Sequence, residues 1–198
     1  MIILFGMAGS GKGTQGNALA EIFGWKWLSV GQVIRETGGY EEIINRGELI
    51  SDEDVVKLMS EKIARLEQDG FDVILDGYPR NEWQAKWLAE NGYLEKVDLA
   101  IILDVPKEEL IQRLKLRGRD DDMSEESIRK RFEVFEQNIS SMTSILKSNG
   151  VAVESVNGVG EIGEVTDRLV DIVEKLVPDA IEQAEDVNNG DIEHSYGE

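Results

Sequence analysis

Gly6-Met7-Ala8-Gly9-Ser10-Gly11-Lys12-Gly13-Thr14 follows the apolar run Met1-Ile2-Ile3-Leu4-Phe5 and precedes a helical pattern reaching Phe23. A short strand, a glycine-rich turn, a lysine and a helix, in that order, form a cradle for phosphate. The glycines let backbone N–H groups turn inward, Lys12 supplies a point charge, and the helix start adds the positive end of its dipole. The stretch therefore points to a bound nucleotide polyphosphate. The residue after Lys12 is Gly13, with Thr14 and Gln15 next, rather than the hydroxyl residue that commonly ligates Mg²⁺ at that place.

Outward from this loop, strand and helix patterns alternate. Short runs rich in Ile, Val and Leu predict strands over 1–5, 26–29, 71–76, 97–104 and 151–156. Helical periodicity predicts helices over 12–23, 51–69, 81–91, 106–116, 124–148 and 161–177. Ser51 with Asp54 and Ser124 with Ser127 are expected helix starts. This alternation implies one α/β domain with a parallel sheet and helices on both faces. Two segments break the rhythm and read as excursions from the sheet edge: 30–50, with Gly31, Gly38, Gly39 and Gly47, and the charged stretch 117–123. Residues 178–198 carry acidic residues and no Lys or Arg, which predicts a largely disordered acidic tail with room for a short helix over 179–186.

Composition excludes several chemistries. The chain has 198 residues, no cysteine, one histidine and a net charge of −19. Disulfides and thiolate zinc sites are ruled out, and His194 in the polar tail argues against histidine catalysis. No apolar run approaches a membrane span. The acidity argues against a nucleic-acid surface. A soluble, cytoplasmic, monomeric protein is expected, with no membrane or nucleic-acid partner. Against so acidic a background, any cluster of basic residues stands out.

Two further constellations carry chemistry. Val73-Ile74-Leu75-Asp76-Gly77-Tyr78-Pro79-Arg80 ends an apolar strand in a carboxylate and then turns. In a parallel sheet the carboxyl ends of strands face the ligand crevice. Asp76 is then placed to hold Mg²⁺ through water near the phosphates, and Arg80 points into the same crevice. The second is a set of arginines: Arg113, Arg117, Arg119 and Arg131, with Arg129 close by. Guanidinium suits bidentate contact with phosphate oxygens, and phosphoryl transfer depends on positioning and charge stabilisation. For any single arginine, surface pairing with Asp120, Asp121, Glu125 or Glu126 is the plain alternative. Trp83 and Trp87, four apart, read as a core-facing stripe; Trp25 and Trp27 read as packing residues.

Taken together, these residues resemble the adenylate kinase family of nucleoside monophosphate kinases. The family loop Gly-x-Pro-Gly-x-Gly-Lys-Gly-Thr-Gln is similar to Gly6–Gln15, with Ala8 in place of proline. Its Asp-Gly-Phe/Tyr-Pro-Arg signature is similar to Asp76–Arg80, followed by Gln84, and its Asp-Val-Pro strand end to Asp104–Pro106. The lid arginine followed by paired aspartates resembles Arg119 with Asp121 and Asp122. The likeness runs over about 1–177.

The resemblance implies a P-loop NTPase-type three-layer α/β/α fold with a five-stranded parallel sheet, a small monophosphate-binding flap over about 30–50 and a minimal lid over about 117–123. It implies transfer of a phosphoryl group from MgATP to AMP. Gly9, Ser10, Gly11, Lys12, Gly13 and Thr14 would hold donor phosphates, with Arg113, Arg117 and Gly158 on the donor side. Gly31, Arg35, Gly77, Arg80, Arg119 and Arg131 would hold the acceptor monophosphate, and Gln84 would read its base. Lys12, Asp76, Arg80, Arg117, Arg119 and Arg131 would be catalytic. Asp76 would order the water shell of Mg²⁺, with no direct protein ligand, and Asp121 or Asp122 would orient the arginines.

Three departures from the family pattern bear on the acceptor side. Val30-Gly31-Gln32 stands where the family has Thr-Gly-Asp, the Arg35–Gly47 segment is about eight residues shorter, roughly two helical turns, and only Gly118 separates Arg117 from Arg119. A one-residue insertion follows Asp122. A UMP/CMP kinase is the nearest alternative, and a nucleotide-binding regulator with little turnover is the alternative of another class. Closure of 30–50 and 117–123 over two nucleotides is expected, because water must be kept from the transferring group.

Overall fold

The computed structural model describes residues 1–40, 50–118, 125–177 and 180. Arg119, Asp121, Asp122, the Ser124 helix start and His194 lie outside the described residues, as do most of the segment expected to form the lid and all but one residue of the expected tail.

Five strands form one parallel sheet in the order β2–β3–β1–β4–β5: β1 (Ile2–Phe5), β2 (Lys26–Ser29), β3 (Val73–Asp76), β4 (Leu99–Asp104) and β5 (Ala152–Asn157). The register sets Leu4 opposite both Asp76 and Ile101, and Asp104 opposite Asn157. The helices are α1 (Lys12–Phe23), α2 (Val30–Thr37), α3 (Asp52–Gln68), α4 (Glu82–Glu90), α5 (Lys107–Arg117), α6 (Glu125–Ser148) and α7 (Ile162–Leu176). Among the described residues, no helix is long and apolar enough to cross a membrane.

The two-residue period of a strand builds the three layers. Ile3 and Phe5 face a core shared with α2, α3, α4 and α6, including Val33, Met59, Leu88 and Leu146. Ile2 and Leu4 face the opposite core, closed by Leu19 and Phe23 of α1 and by Leu169 and Val173 of α7. Ala180 is 1% exposed and completes this second core, so packed chain continues past the end of α7. A third cluster, Leu110, Leu114, Ile128 and Phe132, joins α5 to α6.

The helices differ from the expected set at two places. The excursion expected over 30–50 opens with a helix that periodicity did not predict, Val30–Thr37. Val30, Val33 and Ile34 are β-branched, which disfavours a helix by a few tenths of a kcal/mol each. All three are buried against the sheet, worth about 1.5–3 kcal/mol each, so packing outweighs propensity. Of Trp83 and Trp87, expected as a core-facing stripe, only Trp87 packs against the core. Trp83 is 43% exposed, and Trp87 stacks at the surface of the core on Tyr93 with ring centroids 5.5 Å apart. The buried face of α4 is Gln84, Ala85 and Leu88. Trp25 does pack, stacked on Phe23 at 5.0 Å. Ser51 caps α3 by accepting from the Asp54 N–H at 3.1 Å.

Candidate active site

Four parts of the site lie at the carboxyl edge of the sheet: the phosphate loop after β1, Val30 after β2, Asp76 at the end of β3 and Gly158 after β5. The loop needs glycine at two turns, since Gly9 has φ 86° and Gly11 has φ 97°, a region that side chains disfavour. Gly11 is the N-cap of α1, with no side-chain cap and no acidic residue in the first turn. The first N–H groups of α1 thus face the cleft unanswered by a side chain, and the helix dipole adds positive potential there.

Lys12 curls back over this loop. Its Nζ donates to Gly6 O at 2.7 Å and to Met7 O at 3.0 Å. Burial of the ammonium lowers its pKa to about 8, partly offset by Asp76 and reinforced by Arg80, Arg117 and Arg131. Those four side chains, from β3, the β3–α4 turn, α5 and α6, therefore converge on Lys12. Such a crowd of cations around one weakened ammonium is a site prepared for an anion.

The sign of this shift gives a testable consequence. A polyphosphate in the loop favours the charged ammonium and draws Lys12 back toward its ordinary pKa. Binding of inorganic tripolyphosphate at pH 8.5 is expected to take up a fraction of a proton, and at pH 6.5 none through Lys12. Affinity is expected to fall as pH rises above about 8. Calorimetry in buffers of different ionisation enthalpy measures the uptake; equal proton release at both pH values would contradict it.

Asp76 is 7% exposed. Burial raises its pKa, while Lys12, the Trp27 indole N–H and Arg80 oppose that rise. The Trp27 Nε1 is buried and short of good hydrogen-bond geometry to any described partner. Its ring lies against α1, where a β-carbon on Gly13 would sit 3.4 Å from Cζ2 and one on Gly16 only 2.5 Å from Cδ1. Trp27 thus seats the start of α1 beside Asp76, a place that composition does not disclose. Two glycines three apart on one helix face, Gly13 and Gly16, are the legible sign of a ring packed there. Gln15, part of the loop motif, is 3% exposed and joins α1 to α7 through Ile162 O at 3.1 Å and the Thr166 hydroxyl at 2.8 Å.

On the side of β2 and β3 two guanidinium groups meet. A β-carbon on Gly31 would lie 3.3 Å from Nη1 of Arg35 and 3.9 Å from Nη2 of Arg80. One on Gly77 would lie 3.8 Å from the same Arg80 nitrogen. Arg80 Nε donates to Gly77 O at 3.0 Å, which aims its fork. Gln84, expected to face the acceptor base, is 2% exposed. Its Oε1 accepts from the Arg80 N–H at 2.8 Å and its Nε2 donates to Asp52 at 2.6 Å.

On the other side, Arg113 donates to Gly158 O at 3.0 Å and pairs with Glu109. A β-carbon on Gly11 would be 4.0 Å from Arg113 Nη1. Arg113 therefore bridges the phosphate loop and the Asn157–Gly158 turn. Arg131 Nε donates to Ser127 O at 3.4 Å within α6. Arg129 turns to the surface and reaches Glu133 at 3.9 Å. Among the described residues no three acidic or histidine side chains gather as a metal cage. The single carboxylate of Asp76 instead suits a magnesium ion that keeps its waters and is bound chiefly through substrate phosphates.

The family model described as adenylate kinase matches residues 4–151. The chain is 36% identical over 191 residues to an adenylate kinase of Porphyromonas gingivalis, covering 88% of this chain and 96% of that protein. It is 39% identical over 146 residues to one of Prochlorococcus marinus, covering 69% and 78%. It is 33% identical over 184 residues to one of Thermus thermophilus, covering 85% and 94%. Loop, strand-end carboxylate, converging arginines and these likenesses agree: the chain belongs to the adenylate kinase family and is a phosphotransferase.

Proposed function

We propose that the protein transfers the γ-phosphoryl group of MgATP to AMP, giving two ADP. One observation carries this reading. Two cationic sites, the Lys12 loop and the Arg35–Arg80 pair, flank a single buried carboxylate, Asp76. That is what two phosphate-bearing substrates require. The bond between the γ-phosphorus of ATP and its bridging oxygen breaks, and a phosphate oxygen of AMP takes its place. The acceptor oxygen is already anionic, so no side chain need remove a proton.

In this reading the Gly9–Thr14 amides and Lys12 hold the donor phosphates, while Arg113 and Gly158 border the donor base. Magnesium bound with ATP would neutralise phosphate charge, and Asp76 would orient its water shell. Arg35 and Arg80 grip the acceptor phosphate beside Gly31 and Gly77. Arg117, Arg119 and Arg131 stabilise charge on the moving group. Gln84 retains one amide hydrogen and one oxygen lone pair beyond its two internal bonds for the acceptor base. Val30 is buried and apolar at the β2 end, and the Gln32 amide donates to Glu36 at 2.6 Å. This leaves Gln84 as the polar reader.

An acceptor panel of AMP, UMP and CMP with MgATP tests the assignment. Two ADP formed for each AMP consumed, with UMP and CMP far slower, is the expected result. Faster turnover of UMP or CMP would move the protein to the pyrimidine kinases, and no turnover with any acceptor would make it a nucleotide-binding regulator.

A further inference from the structure

Arg80 and Gln84 hang from one atom that none of the site motifs contains. Oδ1 of Asp52, the first residue of α3, accepts from Gln84 Nε2 at 2.6 Å and from Asn81 Nδ2 at 2.8 Å. Gln84 in turn accepts the Arg80 N–H, and Asn81 caps α4 by accepting from the Gln84 N–H at 2.9 Å. The turn that carries Arg80 is thereby tied to α3 through a single carboxylate oxygen.

The chemistry of the partners makes this tie directional. A carboxylate only accepts and a backbone N–H only donates. Placed between them, the Gln84 amide has one orientation, Nε2 toward Asp52 and Oε1 toward Arg80. Reversing it would set oxygen against oxygen and N–H against N–H inside a buried site, at a loss of both bonds. Asp52 is also held where a carboxylate is favoured, in the first turn of α3 beside Glu53 and Asp54.

We infer that Asp52 is a positioning residue for the acceptor side: through Gln84 and Asn81 it sets the height of Arg80 and the orientation of the amide offered to the acceptor base. It touches neither substrate. The inference rests on the acceptor role proposed above for Arg80 and Gln84. Its function lies in aim rather than in folding, since α3 has its own cap in Ser51 and its own core contacts in Val55, Val56 and Met59.

Steady-state kinetics on the full chain test it. D52A is expected to raise KM for AMP roughly 10- to 100-fold, the scale of a misplaced binding group, with KM for ATP changed less than about twofold. D52N keeps an oxygen that can accept the same two N–H groups and is expected to restore KM for AMP to within about threefold of the parent. Should D52A not fold, D52S, which keeps a helix-start oxygen but cannot reach the amides, is measured instead with the same expectation. Equal loss toward both substrates, no change in either KM, or D52N behaving like D52A would overturn the inference. R80A is run beside them. If it raises KM for AMP while D52A does not, only the role of Asp52 falls; if R80A itself leaves the acceptor KM unchanged, the acceptor site proposed above falls first.

Discussion

Replacing Lys12 by methionine is expected to lower kcat roughly 10²- to 10³-fold while leaving the fold at least as stable as the parent at pH 7. The two halves of this result have one cause. The buried ammonium is held among Arg80, Arg117 and Arg131, and its pKa lies near 8 rather than 10.5. A lysine with a depressed folded pKa makes the charged form costly to the folded protein. That cost is fully present below about pH 8 and is relieved as pH rises toward the unfolded value. Methionine removes the charge, and with it the cost, along with the bonds to Gly6 and Met7. In the proposed reaction the charge serves the transferring phosphoryl group, a trade of stability for activity. Kinetics and thermal unfolding on the same sample measure both. A K12M variant that keeps parental kcat, or one that loses both activity and stability, would contradict this account.

Loss of Arg80 is expected to act differently. R80A removes one of two guanidinium groups that meet at Gly31 and a cation whose charge acts on Asp76. kcat/KM for the acceptor is expected to fall roughly 10²- to 10³-fold, with ATP binding changed little. Because Arg80 also opposes the rise in the Asp76 pKa, its removal is expected to lift that pKa further. R80K restores charge but not the two-pronged contact, and is expected to recover only a minor part of the loss. Binding of ATP in the absence of acceptor, measured directly, separates the two sites; an equal loss of ATP affinity would place Arg80 on the donor side.

Much of the architecture was legible in order and spacing. α1 spans the predicted 12–23, and β2 spans the predicted 26–29, because Gly11 and Gly24 bracket one and a short apolar run makes the other. α2 escaped although Val30, Val33 and Ile34 recur at helical spacing, since neighbouring glycines and β-branched residues argue locally against a helix. Trp83 misled in the opposite direction. Its spacing from Trp87 suits a buried stripe, yet the Asn81 cap and the Gln84–Asp52 bond rotate α4 so that a glutamine is buried and Trp83 faces out. A polar residue with two good partners can displace an aromatic one from an interior position, and no periodicity contains that information.

By itself the sequence determined the phosphate loop, the parallel alternation and the carboxylate at the end of β3, because each depends on residues adjacent along the chain. Only the tertiary structure decided that Trp27 seats α1 against Asp76, that Arg113 bridges the loop to Gly158, and that Asp52 aims the turn carrying Arg80. These contacts join residues far apart in sequence. Their energies come from burial and from matched donors and acceptors, which exist only once the sheet has brought its carboxyl ends to one edge.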